Sequence, residues 1–143
     1  MNNLLISSFK ILLSTIVGAI IGFDRERRGK PAGIKTHSLV CLGATMITII
    51  GLLTFKDTNI GDPMRLSAQV VSGLGFLGAG VILNRDNHIE GLTTAASVWF
   101  AGCIGICLGS DYFHLVFPAV ICYFVVIKLM AYLEKKYIKK KEK

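Results

Sequence analysis

Charged residues are scarce in this sequence. Only 17% of its 143 residues are Asp, Glu, Lys or Arg, whereas 52% are hydrophobic. Soluble proteins carry about 25% charged residues on average, because their surfaces face water. This shortage excludes an ordinary soluble enzyme, and the high apolar content excludes an intrinsically disordered chain. A small membrane protein with material for one domain is left.

The usual marks of a disulfide, nucleotide, metal or catalytic site are also missing. The four cysteines lie inside apolar runs, where cysteine behaves as a small buried hydrophobe: Cys41, Cys103, Cys107 and Cys122. A G-x-G-x-x-G match at residues 73–78 lies within an apolar run and does not follow a strand. His37 and Cys41 are four residues apart, but no second ligand pair accompanies them. We therefore expect no enzyme, no metal site and no cofactor.

Five apolar runs occupy most of the chain. They are residues 4–23, 39–55, 66–83, 92–108 and 115–133. Each is close to the roughly 20 residues that an α-helix needs to cross the hydrocarbon core of a membrane. The runs predict an all-α, polytopic membrane bundle of five transmembrane helices in residues 1–133. Residues 134–143 then form a Lys-rich cytoplasmic tail against anionic lipid.

The distribution of Lys and Arg predicts the orientation of the bundle. Five follow the first run, Arg85 follows the third run, and six Lys lie in the tail, which places twelve on one side. Lys10, Lys56 and Arg65 belong to the other side. Cytoplasmic loops carry the excess of positive charge, so we expect the N-terminus outside and the C-terminus in the cytoplasm. The net charge of +7 is thus a sign of topology and not of nucleic-acid binding.

Small residues recur at helical spacing within the apolar runs. Ser14, Gly18 and Gly22 follow each other at intervals of four. The fourth run contains a similar stripe of Thr94, Ser97, Ala101, Gly105 and Gly109. Small residues let helices approach closely in lipid, where van der Waals contact replaces the hydrophobic effect. The stripes predict close packing within the chain. A contact between two copies, or the lining of a pathway, is the alternative.

Two polar segments, residues 24–37 and 84–94, emerge on the predicted cytoplasmic side and can meet there. Lys10 and Asp24 are only 14 residues apart, about 21 Å along a helix, against a core about 30 Å thick. Either Lys10 snorkels, or Asp24, Arg25 and Glu26 lie within the membrane and line an enclosed cavity. Asp24 and Glu26 could bind a divalent cation. Alternatively, they form an ion-pair network with basic neighbours such as Arg28, which fixes the first helix against the loops.

Four motifs in this order resemble the membrane domain of the MgtC/SapB family. They are residues 22–26 (GFDRE), 30–37 (KPAGIKTH), 65–82 and 91–99, and the resemblance covers residues 4–124. It implies a multi-pass bacterial inner-membrane protein associated with adaptation to low magnesium. The best-known members are described as regulators, including inhibitors of the F-type ATP synthase, and carry an additional soluble C-terminal domain.

The resemblance also implies which residues matter. The family's signature loop would comprise Asp24, Arg25, Glu26, Gly33, Lys35, Thr36 and His37. Its packing core would comprise Gln69, Gly73, Gly75, Gly78, Gly80, Gly91 and Thr94, beside Gly18, Gly22 and Gly105 of the small-residue stripes. Asp24 stands where the family usually has Glu, and Lys35 stands where it usually has Arg. Lys cannot make the bidentate contacts of Arg.

Two functions therefore remain open at this point. The first is a non-enzymatic regulator that binds another membrane protein linked to magnesium or ion homeostasis. The alternative is a small oligomeric ion transporter or channel that uses Asp24, Arg25 and Glu26. The expected partners are the lipid bilayer, another membrane protein or a second copy of the chain, but no nucleic acid.

Overall fold

The apolar runs form five helices in the computed structural model, which describes residues 2–85, 88–133, 136 and 137. The helices are α1 (Asn2–Arg27), α2 (Ile34–Thr58), α3 (Arg65–Val81), α4 (Leu92–Gly109) and α5 (Phe113–Leu133). Two short strands, β1 (Leu83–Arg85) and β2 (His88–Glu90), lie between α3 and α4. The helical prediction is confirmed for all five runs, and the Lys-rich tail lies mostly outside the described residues.

Four of the helices are long and apolar enough to cross a membrane. They are Leu4–Arg27 within α1, then α2, α4 and α5. The remaining helix, α3, has 17 residues and is about 26 Å long at 1.5 Å per residue, which is shorter than the usual hydrocarbon core. Of the five expected spans, four are therefore helices long and apolar enough to cross a membrane, and α3 is shorter.

A β-hairpin interrupts the otherwise helical chain where the sequence predicts only a polar loop. Its strands pair antiparallel, with Leu83 opposite Glu90 and Arg85 opposite His88. Strands of three residues are too short to show an alternating apolar pattern, so the sequence carries no signal for them. Gly91 joins the hairpin to α4 at a φ of 91°. A Cβ atom at this position would collide with the carbonyl oxygen of Val81, so only glycine fits.

The first 112 residues form one compact unit, in which α1 packs on α2 and α4 while α3 packs on α4 and α2. Two glycines of α1 allow its close approach to α2. A Cβ atom on Gly18 would lie 2.8 Å from Cα of Ser38, and one on Gly22 would lie 2.6 Å from Cα of Ile34. Substitution of either glycine would therefore push α1 away from α2.

Residues 113–143 form the second unit, of which α5 is the described part. Pro118 lies in the second turn of this helix and removes one backbone donor there. The rings of Tyr123 and Phe124 meet edge to face with centroids 5.3 Å apart. Lys128, a basic residue inside the fifth apolar run, has its ammonium 5.4 Å from the centre of the Phe124 ring.

Candidate functional site

The polar residues of the signature loop gather where the end of α1 meets the starts of α2 and α4. The last turn of α1 closes with backbone bonds from Gly29 N–H to the Glu26 carbonyl and from Lys30 N–H to the Arg25 carbonyl. Gly29 has a φ of 63°, so this is the left-handed glycine ending that satisfies the terminal carbonyls of a helix. The chain then reverses and brings Gly33 back against α1.

Arg25 is the most deeply buried charged residue of this cluster, with 2% of its surface exposed. Its Nη2 donates a hydrogen bond of 2.7 Å to the hydroxyl of Thr94 in the first turn of α4. Its Nε is buried and has no hydrogen-bond partner among the described residues. No ion pair in the described part of the chain involves Arg25. A buried charge without a counter-charge is costly, so this residue marks the site.

Asp24 directs its carboxylate to its own helix. Arg28 Nε lies 2.9 Å from Oδ2 of Asp24, and Arg28 Nη2 donates to Oδ1 at 3.3 Å. The two side chains are 16% and 34% exposed, one helical turn apart. This ion pair stabilises the last turns of α1 and does not neutralise Arg25.

Glu26 caps the start of α2. Its Oε2 accepts a hydrogen bond of 2.8 Å from the backbone N–H of Ile34, the first residue of that helix. The residue before it, Gly33, has no side chain that could cap α2, and a Cβ atom there would collide with the Glu26 carboxylate. Glu26 therefore places a negative charge at the positive end of the α2 dipole. It joins α1 to α2.

His37 connects α2 to α4 from a fully buried position. Its Nδ1 lies 2.9 Å from the Gly33 carbonyl oxygen, and its Nε2 lies 3.0 Å from the hydroxyl of Ser97. Because a carbonyl only accepts, Nδ1 carries a proton. The Ser97 hydroxyl, which also lies 2.9 Å from the carbonyl oxygen of Thr94, can direct its single proton to either acceptor.

A continuous polar network therefore runs from Arg25 through Thr94 and Ser97 to His37 and Gly33. It brings together Arg25, His37 and Thr94, which the sequence places in three separate motifs. Ser97 belongs to it as well, although the sequence presents it only as one of the small residues of a stripe; its spacing of three from Thr94 is the available signal. Lys35 and Thr36 are exposed and lie outside the network.

Lys10 lies at the opposite end of the same face of α1. Its ammonium donates to the carbonyl oxygen of Gly109 at 3.1 Å and contacts Oδ2 of Asp111 at 2.8 Å. The Lys10 side chain is 8% exposed, whereas that of Asp111 is 62% exposed. Lys10 is thus fixed by partners at the end of α4.

The glycines expected in the packing core fall into two groups. Gly18, Gly22 and Gly105 lie against the backbone of α2, and Gly78 lies against Ala95 of α4. In contrast, Gly73, Gly75 and Gly80 lie on exposed parts of α3, where an added Cβ atom would meet nothing within 4 Å among the described residues. Gln69 on the same helix is also exposed. This part of α3 makes no close contact within the described chain, in contrast to the expectation for a core helix.

The carboxylates of the cluster do not converge. Among the residues that the structure describes, no three His, Cys, Asp or Glu side chains are arranged to hold a metal ion. Asp24 faces Arg28 and Glu26 faces the start of α2. The site is therefore dominated by the positive charge of Arg25.

Comparison with known proteins links the chain to one family. The model of the MgtC family matches residues 11–136. "Putative magnesium transporter YhiD" of Escherichia coli is 42% identical over 111 residues, which cover 74% of this chain and 52% of that protein. Protein SapB of Bacillus subtilis is 33% identical over 133 residues, which cover 89% of this chain and 57% of that protein. Protein MgtC of Salmonella typhimurium is 39% identical over 111 residues, which cover 78% of this chain and 46% of that protein.

The chain spans about half the length of these relatives. No solved structure matches it. The resemblance that the four motifs indicate is confirmed, because the family match contains all of them.

Proposed function

The chain belongs to the MgtC family, and from this premise we propose that it is a non-enzymatic regulator of another membrane protein linked to magnesium homeostasis. It acts as a multi-pass protein of the bacterial inner membrane, with its C-terminus in the cytoplasm. The link to magnesium is taken from the name of the E. coli relative. The regulatory action is our inference from the geometry of the charged cluster.

The observation that carries this proposal is the use of both carboxylates within the chain. Asp24 pairs with Arg28, and Glu26 accepts from the N–H of Ile34. A pathway for Mg²⁺ requires oxygen ligands that face the ion. Here the charge at the centre of the cluster is the buried guanidinium of Arg25, which repels cations. These contacts favour a site that serves the regulation of a partner protein over a site that conducts ions.

The exposed side of α3 is the surface that we assign to the partner. A groove of about 540 Å³ lies between α2 and α3, and its lining is apolar except for the amide of Gln69. Gly73 also lines this groove, and nothing lies within 4 Å of a Cβ atom built on it. Small residues with one hydrogen-bonding side chain suit a transmembrane helix of another protein, because lipid itself offers Gln69 no hydrogen bond.

Complementation in a strain that lacks its own family member tests this surface. Gly73→Leu fills the groove and should abolish rescue of growth at low magnesium, while the protein level in the membrane stays unchanged. Ala96→Leu is the matched control, because it makes the same kind of change at an exposed position of α4. Rescue by Gly73→Leu equal to that of the wild type would contradict the assignment.

The alternative function is a small oligomeric ion transporter or channel, which the name of the E. coli relative favours. In that case Asp24, Arg25 and Glu26 line the pathway. Purified protein in liposomes distinguishes the two functions. The regulator predicts no flux of magnesium, protons or potassium, and reproducible flux that Asp24→Asn abolishes would overturn it.

A further inference from the structure

The start of α4 offers several hydrogen-bond donors that the helix itself does not use. Leu92, Thr93 and Thr94 begin this 18-residue helix, and the N–H groups of a first turn have no acceptor within their helix. The residue before them, Gly91, makes no side-chain cap. The exposed carboxylate of Glu90 lies two residues before Leu92, but no side-chain hydrogen bond caps the positive end of the helix dipole.

Arg25 adds a full positive charge beside these donors. Its side chain is buried and reaches the first turn of α4 through the bond of 2.7 Å to Thr94. Its buried Nε has no hydrogen-bond partner in the part of the chain that the structure describes. Two independent features, an uncapped helix start and an unpaired buried cation, thus meet at Thr94.

The carboxylates nearest in sequence on α1 are occupied elsewhere. Asp24 lies 2.9 Å from Arg28, and Glu26 caps Ile34 at 2.8 Å. The carbonyl end of α1 compensates Arg25 only in part, because its terminal bonds are already closed by Gly29 and Lys30. The charge of the site is positive on balance, because Arg25 and the dipole of α4 together exceed the single negative charge of Glu90.

We propose that the first turn of α4 and Arg25 bind a phosphate group. A phosphate oxyanion accepts hydrogen bonds from several N–H groups at once, and helix starts and Arg side chains are the usual donors to it. The exposed Thr93 supplies a further hydroxyl in the same first turn. This site exists independently of the partner proposed for α3.

The phosphate comes either from a phospholipid headgroup or from a free phosphate compound. The site lies at the end of the apolar helix Leu4–Arg27 and at the beginning of the apolar helix Leu92–Gly109. Helices of this kind end at the level of the lipid headgroups. Both sources present the same oxygen atoms, so the experiment must separate them.

Amide hydrogen exchange of the full chain in dodecyl maltoside micelles, which contain no phosphate, provides the first measurement. Inorganic phosphate, phosphatidylglycerol and sodium chloride at matched ionic strength are added in turn. We expect phosphate or the lipid, but not chloride, to slow exchange at Leu92, Thr93 and Thr94. An effect of the lipid alone identifies a headgroup site, and an effect of inorganic phosphate identifies a site for the free anion. No protection, or equal protection by chloride, would overturn the proposal.

A matched pair of variants provides the second measurement. Arg25→Gln should weaken the apparent affinity for the protecting compound about tenfold or more, because it removes a charge-assisted contact. Arg27→Gln removes the same charge two residues away at an exposed position and should change the affinity by no more than about twofold. An equal loss in both variants would show simple charge attraction and refute the site. If Arg25→Gln fails to fold, Thr94→Val keeps the charge but frees the guanidinium, and unchanged affinity in that variant would refute the site as well.

Discussion

The two ends of α4 are held by two buried cations of α1, and they are held in opposite ways. Lys10 meets the carboxylate of Asp111 and the carbonyl of Gly109 at the end of the helix, where the dipole is negative. At the start, where the dipole is positive, Arg25 hydrogen-bonds the hydroxyl of Thr94 and has no ion pair within the described residues. The first contact is electrostatically complete, whereas the second retains an unpaired charge. We infer that the Lys10 end serves stability and the Arg25 end serves binding.

The largest expected effect comes from separating α1 from α2 beside the Arg25 end. Gly22→Leu would place its side chain into the backbone at Ile34, where even a Cβ atom would lie 2.6 Å from Cα. We expect a loss of about 3 kcal/mol in the free energy of unfolding, since overpacking forces the backbone to move. Gly75→Leu is the control, because nothing lies within 4 Å of its Cβ position among the described residues. Unfolding by SDS in mixed micelles measures the free energy of unfolding of both variants. Equal losses in Gly22→Leu and Gly75→Leu would contradict the close packing of α1 on α2 at Gly22.

The next effect concerns the Lys10 end. Lys10→Met keeps most of the volume but removes both contacts to the end of α4, and Asp111 returns to water, to which it is already 62% exposed. We expect the free energy of unfolding to fall by about 2 kcal/mol, as is usual for a lost hydrogen bond to a charged group. The same micelle titration measures it. If Lys10→Met were as stable as the wild type, the contacts of Lys10 would not stabilise the protein, and the inferred role of this end would be wrong.

Arg25→Met, unlike Lys10→Met, should not lower the free energy of unfolding. Replacing a buried, unpaired charge by an apolar side chain removes its desolvation cost, so we expect the free energy of unfolding to stay constant or to rise by about 1 kcal/mol. This variant should nevertheless fail to rescue growth at low magnesium in a strain that lacks its own family member. A destabilised Arg25→Met protein, comparable to Lys10→Met, would show that both ends serve stability and would remove the distinction between them.

The sequence predicts one end of the molecule better than the other. The glycine spacing of α1 predicts the contact with α2, because Gly18 and Gly22 must share one face of a helix. The signature motifs predict that Arg25, His37 and Thr94 matter. No local pattern predicts that Lys10 finds Asp111, because 101 residues separate them and only the packed fold brings them together.

The structure also places α3 differently from expectation. Small residues occur on several sides of this helix, so the sequence does not show which side packs on α4 and which remains open. A Cβ atom on Gly78 would lie 3.6 Å from Cβ of Ala95, while Gly73, Gly75 and Gly80 are exposed. A pattern of small residues reports that a close approach is feasible, but the choice of side depends on the neighbouring helices. For the same reason, the sequence indicates only a packing role for Ser97, whereas the fold brings its hydroxyl to His37.

The smallest effect is expected for the surface of the Arg25 end. Arg28→Gln breaks the ion pair with Asp24, whose members are four residues apart and 34% and 16% exposed. Such pairs contribute about 0.5 kcal/mol to the free energy of unfolding, because water and salt screen them. Asp24, released from Arg28, would remain one residue from Arg25 in sequence. If Arg28→Gln also weakened the protection of α4 amides by phosphate, the freed carboxylate would be neutralising Arg25. Unchanged protection would mean that the charge of Arg25 is insulated from the surface of its own helix.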